Sequence, residues 1–181
     1  MSDYSLKIHT IDDVSLVSFP YYGIYVSDLK IDHGEVVYPH RIRRKGGKVV
    51  LDASGKPIKD AIYHPMAAFA DTFEEWIRDV VSSGRANTMG LDSPDIYVYV
   101  TPRNFGSGSD LLAFVCMNYH GLIIDDLALK KDASCNMFLT MPHHTITGPD
   151  GTRHPVDIVE ISDPHEYDRI MERVLEKYQI A

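Results

Sequence analysis

Two stretches of alternating or continuous apolar residues, rich in Ile, Val and Tyr, open the two parts of the chain: Ser5–Ile11 and Asp95–Thr101. That pattern predicts strands. Each is followed by a longer strand-like stretch, Val14–Ile31 and Leu111–Leu129, broken once by a Tyr-x-Gly. A glycine there marks either a bulge or bend in one long strand, or a tight hairpin. Val36–Ile42 and Asn136–Met141 read as further strands, then come the turn residues Asp52-Ala-Ser-Gly55 and Gly148-Pro-Asp-Gly151. A last strand in each part, Ala61–Tyr63 and Val156–Ile161, leads into a helix.

The first helix is expected to start after Asp71 as N-cap, with Glu74 completing a capping box. Phe73, Trp76, Ile77, Val80 and Val81 line one face, and Gly84 stops it. The second starts after Asp163 with Pro164 at its first position. Tyr167, Ile170, Met171, Val174, Leu175 and Tyr178 make one continuous stripe on it. A thin sheet offers a helix only one partner, so both stripes are expected to join the two parts.

The two parts align on each other. Val17–Ile31 sits over Val115–Leu129 at an offset of 98, with five of fifteen positions identical. Further on, Tyr38-Pro39-His40 matches Met141-Pro142-His143, and Ile58-Lys-Asp60-Ala-Ile62 matches Val156-Asp157-Ile158. The order of motifs is the same in both, the mark of an internal repeat. The division is 1–84 for the first repeat, 85–94 for a linker with Gly90, Ser93 and Pro94, and 95–181 for the second repeat.

Composition leaves a soluble globular chain. The 181 residues are 44% hydrophobic and 24% charged, which argues against disorder. The longest clean apolar run, Leu111–Met117, is far short of the roughly twenty residues a spanning helix needs, and the N-terminus lacks a signal-peptide pattern. Cys116 and Cys135 are too few for a disulfide framework, so a reducing cytoplasm is the default and no membrane partner is expected.

Charge is uneven. Residues 1–90 carry 11 Lys/Arg against 12 Asp/Glu, a balance of −1, and residues 91–181 carry 7 against 14, a balance of −7. Seven basic residues fall in 40–59: Arg41, Arg43, Arg44, Lys45, Lys48, Lys56 and Lys59, against Asp52 alone. The net charge of −8 argues against a protein that coats nucleic acid, but contacts are made by local surface. The hairpin Pro39–Lys59, with a Gly46-Gly47 tip, is therefore the leading functional candidate. Its cations would neutralise phosphates, and Tyr38 and Tyr63 would supply stacking faces nearby.

Other chemistry is weakly signalled. His143-His144 and His154 flank one turn, but adjacent strand residues point to opposite faces, and no zinc spacing is present; no metal or cofactor is expected. Asp125-Asp126 sits in a strand, so its side chains are expected on opposite faces. Gly106-Ser-Gly-Ser-Asp110 reads as a hairpin loop. Hydrolase and nucleotide-loop motifs are missing, and a non-enzymatic protein is expected.

The stretch Gly121–Tyr178 resembles the SpoVG septation and sporulation regulators of bacteria. It has a long strand into Asp126-Leu-Ala-Leu, then Met137-Phe-Leu-Thr-Met-Pro142, a Pro-Asp-Gly turn, Val156-Asp157-Ile158, and a helix ending Val174-Leu175-Glu-Lys-Tyr178. The first part carries other pieces of that signature, Tyr38-Pro39-His40-Arg41 and Asp60-Ala61-Ile62-Tyr63-His64-Pro65. The resemblance implies small α+β units that dimerise and bind DNA or RNA as regulators, with basic residues in the first helix turns. Only Arg169 stands at such a position; Phe73, Glu75 and Tyr167 stand at the others.

The expectation is thus an α+β protein of two tandem SpoVG-like repeats, each an antiparallel sheet with a C-terminal helix. Together they would form an intramolecular pseudo-dimer, open to further self-association. It would bind DNA or RNA through Arg41, Arg43, Arg44, Lys45, Lys48, Lys56 and Lys59, with Arg169 added by the resemblance. The alternative is an acidic protein-interaction module, an adaptor or inhibitor, on the same scaffold.

Overall fold

The computed structural model describes residues 3–86, 96–104, 106 and 108–181. Most of the expected linker, 87–94, lies outside the described residues. The fold is α+β: antiparallel sheets with two helices. In chain order, β1 (Lys7–Ile11), β2 (Val14–Tyr21) and β3 (Ile24–Asp32) form a meander, and β4 (Glu35–Val37) pairs with the end of β3. A projecting segment follows, with β5 (His40–Ile42), β6 (Arg44–Lys45), β7 (Lys48–Val49) and β8 (Lys59–Ala61). Then come β9 (Tyr63–Pro65), a 3-10 turn (Ala67–Phe69) and α1 (Ala70–Ser83).

A second meander is built from β10 (Tyr97–Pro102), β11 (Leu111–Tyr119) and β12 (Leu122–Lys131), with β13 (Met137–Thr140) against the end of β12. β14 (His143–Thr147) and β15 (Arg153–Asp157) form a two-stranded projection, and β16 (Val159–Ile161) leads into α2 (Pro164–Ile180). Two short strands cross between the meanders. β9 pairs with β12, and β16 pairs with β3.

The Tyr-x-Gly breaks are tight hairpins. Tyr22 and His120 both adopt positive φ, at 54° and 48°. At Gly23 the requirement is space: a Cβ would stand 2.7 Å from Cγ of Glu166 on α2. The two hairpin ends meet. The Tyr21 hydroxyl donates to the His120 carbonyl at 2.5 Å, the Gly23 amide donates to the Tyr119 hydroxyl at 3.0 Å, and the Tyr22 and His120 rings stack at 3.9 Å.

Both meanders are bulged. Ser18 alone faces Ser27-Asp28 between the Val17–Leu29 and Phe19–Val26 pairs. Cys116 alone faces Asp125-Asp126 between Val115–Leu127 and Met117–Ile124. The extra residue takes positive φ in each case, 52° at Asp28 and 69° at Asp126.

The expected strand Val36–Ile42 is split at Tyr38-Pro39, because proline has no amide to give the ladder; instead its carbonyl accepts from the Ile62 amide at 2.7 Å. Helix α2 starts as expected, with the Asp163 carboxylate accepting from the His165 amide at 2.9 Å. Helix α1 does not start as expected. It begins at Ala70, one residue ahead of the expected cap. Its N-cap is Phe69, with no side-chain bond, because the 3-10 turn runs straight into it. Asp71 thereby sits in the first turn, where its charge complements the helix dipole.

The helix stripes also differ from expectation. Each lies on the sheet of its own part of the chain rather than between the two. Phe73 meets Phe19 and Tyr21 of β2, and Trp76 meets the same two rings. On α2, the Tyr167 hydroxyl accepts from the Leu139 amide of β13. The crossing strands make the join instead, and Tyr63 of β9 and Val159 of β16 are both fully buried within a core continuous across both meanders. Among the described residues, no helix is long and apolar enough to cross a membrane.

Candidate nucleic-acid interface

Residues 40–61 fold into a compact arm of three short runs. The first, β5 and β6, pairs with β8 at its base, where His40, Arg41 and Ile42 face Ala61, Asp60 and Lys59. It pairs with β7 at its tip, where Arg44 and Lys45 face Val49 and Lys48 across the Gly46-Gly47 turn. The fork is at Arg43, whose amide donates to the Ile58 carbonyl while its own carbonyl accepts from the Val50 amide. A second turn closes on Asp52, whose carboxylate accepts from the amides of Ser54 and Lys56. The Ser54 hydroxyl donates to the same oxygen at 2.7 Å, and this bond together with the amides holds the Asp52 carboxyl below the usual range.

The basic residues divide by partner. Arg43 lies on Asp60 through two hydrogen bonds, Nε to one carboxylate oxygen at 2.9 Å and a terminal nitrogen to the other. The guanidinium holds the Asp60 carboxyl below its ordinary value and raises that of Arg43 in return. Arg41 pairs with Asp126 on the β12 bulge. Arg44 donates to the Gly47 carbonyl at 3.2 Å. Among the described residues, no carboxylate is paired with Arg44, Lys45, Lys48, Lys56 or Lys59, all exposed. Arg169 stands apart on α2, beside Glu166 at 3.4 Å.

The arm overhangs the second meander and leaves a groove of about 560 Å³. From the arm come Arg41, Arg43, Arg44 and Asp60; from the sheet, Tyr99, Arg103, Phe114, Cys116, Asp125 and Asp126. Strand alternation predicts Asp125 and Asp126 on opposite faces. The bulge breaks the alternation, and both line this groove. Burial and the neighbouring Asp125 charge push the thiol of Cys116 on its floor up to about 12, which disfavours the thiolate.

The two rings expected to offer stacking faces are covered to different degrees. Tyr63 is fully buried, and Tyr38 is half-buried against Tyr63 and Phe73. Tyr63 offers no open ring face, and Tyr38 keeps only part of its surface, at the edge of a separate shallow pocket. Tyr99 and Phe114 can stack on a base, being 66% and 40% exposed. The Arg103 guanidinium lies 5.5 Å from the centre of the Phe114 ring, a cation–π distance. None of these three stands near the basic run in sequence. The one signal was the alternation Tyr97-Val-Tyr99-Val, which puts both tyrosines on the outer face of β10.

The histidines stay dispersed. His143 lies against the Met141 carbonyl just before its strand, His154 bonds Thr152, and His144 borders a separate shallow pocket with Asp28 and His40. Among the described residues, no three His, Cys, Asp or Glu side chains gather as a metal site requires. No protein-family model, curated protein or solved structure matches this chain.

Proposed function

We propose that this chain is a non-enzymatic, cytoplasmic regulatory protein that binds DNA or RNA through the arm 40–61 and the groove beneath it. The observation that carries the reading is the partition of charge on the arm. Five cations, Arg44, Lys45, Lys48, Lys56 and Lys59, project from the arm with no carboxylate partner among the described residues. Arg41 and Arg43 are held by Asp126 and Asp60 and serve to fix the arm. Lysine and arginine placed this way neutralise phosphates and release counterions, whatever the sequence of the nucleic acid.

The scaffold is read as two SpoVG-like repeats, 1–84 and 95–181, joined by a linker at 85–94 into a covalent pseudo-dimer. Support comes from the crossing strands, since β9 lies on β12 as β16 lies on β3. It comes also from the matching bulges at Asp28 and Asp126 and the meeting of the Tyr22-Gly23 and His120-Gly121 turns. Arg169 contributes little in this reading, because Glu166 shares its charge.

A second reading, an acidic protein-interaction module, is favoured by one observation: the groove itself holds Asp60, Asp125 and Asp126. Fluorescence anisotropy with labelled DNA and RNA separates the two. The first reading expects binding at low salt that Lys45→Gln/Lys48→Gln weakens by roughly tenfold. Binding that the double variant leaves unchanged removes the arm from the site, and no binding at all leaves the protein-interaction reading.

A further inference from the structure

We infer that the groove between the arm and β10–β11 selects single-stranded nucleic acid, with successive bases stacked on Tyr99 and Phe114 and the phosphates facing the arm. The inference rests on the nucleic-acid reading of the arm and adds the class of strand. Three observations lead to it. First, two aromatic rings are exposed on the sheet face directly beneath a basic arm, and both line one groove with it. At 66% exposure most of the Tyr99 side chain is left to solvent and available to a planar ligand. Second, the register places them to act in sequence. Tyr99 faces Cys116 and Thr101 faces Phe114, so the two rings are diagonal neighbours on one face, about 7–8 Å apart along the backbone. An extended strand with its bases splayed out can lay one on each ring.

Third, the charges are arranged for a strand that lies between arm and sheet. Arg44 stands on the arm side without a carboxylate, and Arg103 stands on the sheet side against Phe114. Arg43 is held bidentately by Asp60 and fixes the arm over the sheet rather than taking a phosphate. Stacking tolerates any base, because every base has a π-face, and it is denied to a duplex, whose bases are already stacked on each other. A duplex can touch only the arm's cations. The groove's arginines Arg41, Arg43, Arg44 and Arg103 are nearly balanced by Asp60, Asp125 and Asp126, so charge alone gives a bare polyanion little reason to prefer this groove.

The test compares three probes by competition: a labelled oligothymidylate strand, a duplex of the same length, and inorganic polyphosphate. The wild-type chain is expected to bind the strand roughly tenfold or more tighter than the duplex. Tyr99→Leu/Phe114→Leu is expected to erase that preference and to leave duplex and polyphosphate binding unchanged. Tyr99→Trp, which keeps a ring, is expected to retain it. Both rings are exposed, and a thermal melt checks that the fold survives the double change. Equal wild-type affinity for strand and duplex overturns the inference, as does equal loss on all three probes. If Lys45→Gln/Lys48→Gln weakens every probe while Tyr99→Leu/Phe114→Leu changes nothing, the stacking inference falls and the arm's role stands. If the wild type binds none of the three, the nucleic-acid reading falls with it.

Discussion

Replacing the four arm lysines, Lys45, Lys48, Lys56 and Lys59, by glutamine tests the partition of charge quantitatively. Counting follows from the partners. Arg41 and Arg43 are excluded, because Asp126 and Asp60 already neutralise them. That leaves Arg44, Lys45, Lys48, Lys56 and Lys59 on the arm and Arg103 on the sheet. Each phosphate neutralised on a single strand adds about 0.7 to the slope of log affinity against log salt, so these six give a slope near −4. Between about 50 and about 200 mM salt the affinity then falls a few hundredfold. The quadruple glutamine variant should flatten the slope by about 3. Asp60→Asn provides a test of sign. It frees the Arg43 guanidinium, while the arm stays held by the β5–β8 pairing. It should raise affinity and steepen the slope by about 0.7. The assay is an anisotropy titration in a potassium chloride series with a fixed labelled strand. A wild-type slope shallower than about −1, an unchanged slope in the quadruple variant, or weaker binding by Asp60→Asn would refute the reasoning.

Three further outcomes concern stability. The Tyr63 hydroxyl is fully buried and has no hydrogen-bond partner among the described residues, so Tyr63→Phe should raise stability by about 1 kcal/mol, or roughly 2–4 °C in a thermal melt; a loss of that size would reveal a partner for the hydroxyl. Ile77→Ala empties a fully buried site on the α1 stripe and should cost about 2–5 kcal/mol by urea unfolding, whereas Trp76→Ala, only partly buried, should cost less. Acid should unfold the chain through specific carboxyls. Asp52, Asp60, Asp132 and Asp150 are held below the ordinary 3.8 by hydrogen bonds from Ser54, Arg43, Asn136 and Thr152 respectively. Their contribution is fully present above about pH 4 and is lost as pH falls through the depressed folded values. Asp157, raised by burial and by Glu160, works in the opposite direction. A pH series of melts checks this, and stability that stays level as pH falls below about 4 would show that these four carboxyls contribute nothing.

What was legible in the sequence is what is local. The Asp163-Pro164 helix start is written in two residues, and the Tyr-x-Gly turns and the Asp52 turn are short chemical signals. The basic arm was legible as a run of like charge. The cap of α1 was not, because a 3-10 turn upstream competed with the Asp71 signal. The helix stripes were read correctly as buried faces, but nothing in a stripe names its partner. The crossing strands, three residues each, are too short to announce which sheet they join. The groove was illegible for a similar reason. Tyr99, Arg103 and Phe114 meet the arm through tertiary contacts, chiefly the β9–β12 pairing, which brings residues distant in the chain beside β11 and β12. The bulge that turns both Asp125 and Asp126 into the groove also defeats any argument from alternation.

The most direct measurement is a map of backbone amide shifts by NMR as an oligothymidylate strand is added to the intact chain. The account predicts that the perturbed amides cluster in the arm 40–61 and around Tyr99, Arg103 and Phe114. Shifts centred on α2 around Arg169, with the arm unchanged, would contradict it.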